Sequence, residues 1–137
     1  MSWSVQEVPI EFVNRTWPFV ERMLEKSVRY ANGELTIQEV KVNVLRGLDV
    51  MFIALDEDNQ IQGVATVNLY NRTDNRVAHI TNISGRLLAD DETFSQFCSL
   101  LRLRGATCIE GTVRDSLLRL WARLGAHKKS TLIQIPL

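Results

Sequence analysis

The sequence predicts an α/β chain, a single layer of mixed sheet flanked by helices, with the element order β-α-α-β-β-β-α-β-α-β. Three observations carry this prediction. Three β-rich runs, "DVMFIAL", "IQGVATVNLY" and "RVAHITNI", follow one another across "DEDNQ" and "NRTDN", short polar links rich in turn formers, which is the pattern of an antiparallel meander. Two stretches with helical apolar spacing precede the meander. After it, a helical stretch separates "RVAHITNI" from "ATCIEGTV", and a helical crossover between neighbouring strands makes that pair parallel.

The elements follow in order. "WSVQEVPI" alternates weakly and meets Pro9, so a short first strand ends near Val8. From Asn14 to Tyr30, Trp17, Val20, Met23 or Leu24, and Val28 recur at helical spacing, with Pro18 in the first turn and Asn32-Gly33 as the stop. "TIQE", Thr36 to Glu39, is a capping box for a second helix that stops at Gly47. Beyond the meander, Phe94, Phe97, Cys98, Leu101 and Leu103 form an apolar helical stripe broken by Gly105. After "ATCIEGTV", the run "RDSLLRLWARLGA" sets Leu117, Leu118, Leu120 or Trp121, and Leu124 on one side of a helix ended by Gly125, with Arg119 and Arg123 opposite. "STLIQIPL" is expected to form the last strand.

A chain of 137 residues that is 45% hydrophobic suits one compact domain, and no linker, repeat or low-complexity run divides residues 1–137. Sixteen basic residues balance sixteen acidic ones, which argues against indiscriminate binding of nucleic acid. The stretch from Ser95 to Leu137 is more basic, with seven bases against two acids, and these read as solvated helix and turn surfaces. Cys98 and Cys108 stand among apolar residues without a metal-like spacing and read as reduced thiols, so no metal site is expected. No apolar stretch approaches the ~20 residues that span a bilayer. Cytoplasmic localisation, or another reducing environment, follows as the expectation.

The strand, glycine and helix start in "NISGRLLADDETF" raise the question of a phosphate cradle, because helix N-termini attract anions. Asp90, Asp91 and Glu92 argue against one. At ~5 Å and an effective dielectric near 20, each carboxylate costs a phosphate charge roughly 3 kcal/mol. As a helix opening the same residues are favourable, Asp90 or Asp91 as N-cap and Glu92 in the first turn.

This succession of elements resembles the GNAT superfamily of N-acetyltransferases along nearly the whole chain. "RDSLLRLWARLGAHKK" resembles the family's closing helix, and "VMFIALDEDNQIQGVATVNLY" its second-to-third strand hairpin, with Gly63-Val64 as the hydrophobic-glycine pair. The resemblance implies a cleft between splayed fourth and fifth strands for acetyl coenzyme A. It also implies a pyrophosphate loop at the next helix, a strand-four N–H that polarises the thioester carbonyl, and a tyrosine on the fourth helix that protonates the thiolate. On this sequence the cofactor-binding candidates are Ile83, Ser84, Arg86, Leu87, Leu88 and Ala89. Arg86 matches the loop pattern, whereas Ala89 replaces its first glycine and Asp90 its second small residue. Trp121 stands where the tyrosine belongs, Arg114 where an asparagine belongs, and Ala126 where an aromatic belongs.

His79 and Glu110 are the catalytic candidates, as strand residues near the implied cleft; Cys98 has no histidine partner in sequence and reads as a buried thiol. The altered positions imply a catalytically degenerate protein with no cofactor, serving as a binding or structural module. The segments "NRTDNRVAHIT" and "LLRLRGATCIEGTVRDSLLRLWARLG" resemble short bacteriophage GNAT-like proteins, which implies virion-associated or self-associating protein partners. The alternative is an active N-acetyltransferase that uses acetyl coenzyme A.

Overall fold

The computed structural model describes residues 3–29, 35–87, 91–113 and 115–137. Its elements are β1 (Ser4–Val8), α1 (Val13–Arg29), α2 (Ile37–Leu45), β2 (Val50–Leu55), β3 (Ile61–Asn71), β4 (Arg76–Gly85), α3 (Asp91–Leu103), β5 (Cys108–Gly111) and α4 (Leu118–Arg123), with 3₁₀ turns before α1 and α4. The five strands form one sheet in the order β1-β2-β3-β4-β5. The first four are antiparallel neighbours, and β5 joins β4 in parallel, as the crossover through α3 requires.

Helices cover both faces of the sheet, so β2 is buried almost without interruption instead of alternating. Phe52 and Ala54 point to the α3 side, where Phe97 and Leu101 pack with Ala65, Val67 and Ile80. Met51 and Ile53 point to the other side, where α1 and α2 contribute Val13, Trp17, Val20, Leu24, Val40 and Val44. Phe52 and Phe97 meet edge to face, ring centres 5.3 Å apart, and fasten α3 to the middle of the sheet.

The caps show why the helices begin and end where they do. Thr36 Oγ1 accepts from the Glu39 N–H at 3.2 Å, the first half of the expected capping box. The other half differs, because the Glu39 carboxylate accepts from the Thr36 hydroxyl. Gly47, Gly105 and Gly125 follow α2, α3 and α4 with positive φ. The stop expected at Asn32-Gly33 lies outside the described residues, as do Tyr30, Leu88, Ala89, Asp90 and Arg114.

Three expectations need correction. Pro18 sits inside α1 and not in its first turn, because the helix is entered from a 3₁₀ turn at Ile10–Phe12 and begins at Val13. Leu103 is 83% exposed, whereas Thr93 is buried on the core side of α3. Two residues beyond Leu101 is about 200° of helical rotation, which turns Leu103 to the far side. The last strand does not form: residues 126–137 carry no regular structure, and Leu132, Ile133, Ile135 and Leu137 are exposed. β5 is the sheet's terminal strand, only four residues long, and offers little ladder for "STLIQIPL" to join.

Candidate functional site at the parting of β4 and β5

β4 and β5 stay together for four residue pairs, Val77↔Cys108 to Ile80↔Gly111. β4 then runs on to Gly85 with no partner on that side among the described residues. The two strands therefore part after Ile80. At the same place β4 carries a bulge: Thr66 pairs with Asn82 and Val67 with Ile80, leaving Thr81 as the extra residue. A bulge bends its strand and re-aims side chains. Here it brings both Thr81 and Asn82 to Thr66, whose Oγ1 lies 2.7 Å from Thr81 Oγ1 and 3.1 Å from Asn82 Nδ2.

That contact belongs to a longer chain of hydrogen bonds. Ser27 Oγ donates to Asn82 Oδ1 at 3.1 Å, and Thr81 Oγ1 lies 3.0 Å from Asp49 Oδ2. Asn82 Nδ2 can only donate, so Thr66 Oγ1 accepts from it. Thr81 Oγ1 lies 3.0 Å from both Asp49 Oδ2 and the Thr66 carbonyl oxygen, so its single proton is shared between that carboxylate and that carbonyl. Asp49 is 6% exposed, Thr66 fully buried and Asn82 3% exposed. Asp49 also lines an open-mouthed cavity of about 470 Å³ together with Asn43, Asn68, Tyr70, His79 and Thr81.

The structure brings the two catalytic candidates side by side, since His79 and Glu110 are register partners on β4 and β5. Their surroundings differ. His79 is half-buried and lines the cavity. Glu110 is clamped by Arg72, whose Nη1 and Nη2 lie 2.5 and 2.6 Å from the two carboxylate oxygens, and by Lys129 Nζ at 2.9 Å. Arg72 also donates to the Tyr70 hydroxyl at 2.8 Å. The hydrogen bonds from Arg72 and then Lys129 hold the Glu110 carboxyl well below its ordinary range, at about 2. Cys98 is a half-buried free thiol on α3, pushed up by burial. Trp121 on α4 packs against the core on the α3 side.

The cofactor-binding candidates divide. Ile83 and Ser84 lie on the unpaired half of β4, opposite Ala65 and Val64 of β3. The Arg86 N–H donates to Gln62 O at 2.8 Å across the Gly63↔Gly85 pair, so ladder alternation turns the amides of Ile83 and Gly85 away from β3 toward the open side. The Arg86 side chain lies over the Trp3 ring at 5.7 Å, and Leu87 is fully buried. Gly63 and Gly85 are explained by this close docking, because a Cβ on Gly63 would lie 2.8 Å from Leu87 N. For acetyl coenzyme A, then, the open edge of β4 fits the thioester arm. At the pyrophosphate end the Arg86 amide is engaged by Gln62 O and exposed Asp91 and Glu92 open α3, while Leu88, Ala89 and Asp90 of the expected loop lie outside the described residues.

The sequence reading missed Asp49, Thr66, Thr81, Asn82 and Arg72. Two signals were present. An aspartate heads the apolar run "DVMFIAL", and the adjacent Thr81-Asn82 pair breaks the alternation of an otherwise apolar strand, as a bulge does. Among the described residues no group of His, Cys, Asp or Glu could hold a metal ion, and no helix is long and apolar enough to cross a membrane.

No protein-family model and no curated protein matches the chain in sequence. Solved structures do match in fold. An aminoglycoside acetyltransferase from an uncultured soil metagenomic sample superposes with a TM-score of 0.68 at 16% identity, covering 100% of this chain and 99% of that one. Glucosamine-6-phosphate N-acetyltransferase from Arabidopsis thaliana gives 0.63 at 12% identity, covering 99% of each chain. A predicted acetyltransferase with acetyl-CoA from Clostridium acetobutylicum gives 0.60 at 11%, covering 98% and 96%. Element order, parallel β4–β5 pair and these superpositions agree: the chain has a GNAT-like fold.

Proposed function

We propose that the chain is a binding module on an acetyltransferase-like scaffold and that it does not transfer acetyl groups. The observation that carries this reading is the state of Glu110. It stands where β4 and β5 part, and two cations hold its carboxyl at about 2. A general base works best with a pKa near the operating pH, and a carboxylate held so low takes no useful share of a proton from an ammonium group. Trp121, at the position of the family's acid, supplies only an indole N–H, which is too weak an acid to protonate a thiolate. In this reading the partner is a protein, and the resemblance to bacteriophage GNAT-like proteins favours a virion component.

The second reading is an N-acetyltransferase, favoured by the open edge of β4 and by the acetyltransferases that share the fold. Release of coenzyme A from acetyl coenzyme A, followed with a panel of primary amines, separates the two. Background rates throughout are expected. Turnover that disappears in Arg86→Ala would overturn the binding-module reading.

A further inference from the structure

β1 is a terminal strand of the sheet, and a terminal strand presents a row of backbone N–H and C=O groups on which another chain can build. In β1 a side chain engages that row. Gln96 Oε1 accepts from the Val5 N–H at 2.9 Å, and Gln96 Nε2 donates to the Trp3 carbonyl oxygen at 2.8 Å. One partner can only donate and the other only accept, which fixes the oxygen and nitrogen ends of the Gln96 amide. A residue of a neighbouring parallel strand makes the same pair of bonds, to a C=O and to the N–H two residues on. Gln96 therefore stands in for a strand.

α3 holds it there. Gln96, Leu100 and Arg104 are spaced four residues apart, so they share one stripe of the helix and its closing turn. Leu100 packs against the core, and Arg104 pairs with Glu7 further along β1, its Nε 2.9 Å from Oε1. The edge beneath this stripe is self-complementary. Both backbone groups of a residue in an antiparallel strand face the same side, so the outward Val5 N–H is joined by an outward Val5 C=O. Two β1 strands related by a two-fold axis through Val5 can exchange both bonds there, with Trp3 facing Glu7, and join two five-stranded sheets into one. We propose that Gln96 is an edge guard, an autoinhibitory contact that keeps β1 from adding the β1 of a second copy, with the Arg104–Glu7 pair fastening α3 across the same edge.

The test follows the full chain by amide hydrogen exchange, amide NMR and sedimentation over a concentration series, in wild type and in Gln96→Ala, a substitution that favours the helical state of α3. Val5 in wild type is expected to exchange about tenfold or more slower than an unbonded strand-edge amide, at a rate independent of protein concentration. In dilute Gln96→Ala that protection is lost. At high concentration it returns, together with shifts at Trp3, Val5 and Glu7 and a sedimentation coefficient rising toward that of a dimer. A variant that stays monomeric throughout, or that associates while Val5 still exchanges as an open amide, would overturn the proposal. So would a wild-type Val5 that exchanges as an open amide or gains protection with concentration, a result that stands even if the variant failed to fold.

Discussion

Gly85 has a φ of +78°, and a Cβ there would run into the Gln62 carbonyl oxygen and lie 2.8 Å from Gly63 Cα. Both neighbours are backbone, so neither can swing aside. Gly85→Ala is expected to destabilise the fold by about 2–3 kcal/mol, against about 1 kcal/mol for Gly125→Ala, where φ is +97° and nothing lies within 4 Å. Urea denaturation of the two variants checks the difference, and equal losses would refute the close docking of Gly85, Arg86 and Leu87 on β3.

Glu110 makes a second prediction at this scale. Its carboxyl lies at about 2 in the folded protein against an ordinary 4.5. The clamp with Arg72 and Lys129 therefore contributes stability that is fully present above pH ~4.5 and is lost as pH falls through about 2. Unfolding free energies of wild type and Glu110→Gln should differ most near neutrality and converge over that window; parallel curves would show that the clamp does not form.

Among the elements, the segment after α4 separates what a sequence pattern can say from what it cannot. "STLIQIPL" has the composition of a strand, yet strand formation also needs an edge to pair with, and that edge lies on another part of the chain. β5, at four residues, is too short to hold it, so Leu132, Ile133, Ile135 and Leu137 stay exposed. Truncation after Lys129 keeps the Lys129–Glu110 pair and is expected to change the melting temperature by no more than about 2 °C. A larger fall would show that the segment packs on the sheet. The meander, by contrast, was readable because "DEDNQ" and "NRTDN" are local turn chemistry: Asp56 accepts from the N–H groups of Asp58 and Gln60, each at 2.9 Å. The helices were readable by period, with Trp17, Val20 and Leu24 buried as their spacing requires.

At the scale of the whole molecule, the sheet with helices on both faces fixes where chemistry can occur. One face is packed by α3 and the other by α1 and α2, and among the described residues the parting of β4 and β5 and the cavity beside Asp49 are two of the openings that remain. The first was foreshadowed by element order, whereas the second is backed by a hydrogen-bonded cluster of residues 27, 49, 66, 81 and 82, distant in sequence and brought together by the sheet register and a single extra residue in β4. No local pattern encodes such a meeting. It places a hydrogen-bonded cluster at the bulge of β4.

The proposal that the chain is a binding module is tested most directly by calorimetric titration of acetyl coenzyme A and coenzyme A into the purified chain. No binding heat is expected for either, because the Arg86 amide is engaged by Gln62 O and the first turn of α3 carries Asp91 and Glu92. A saturable, one-to-one isotherm in the micromolar range would contradict it and restore the acetyltransferase reading.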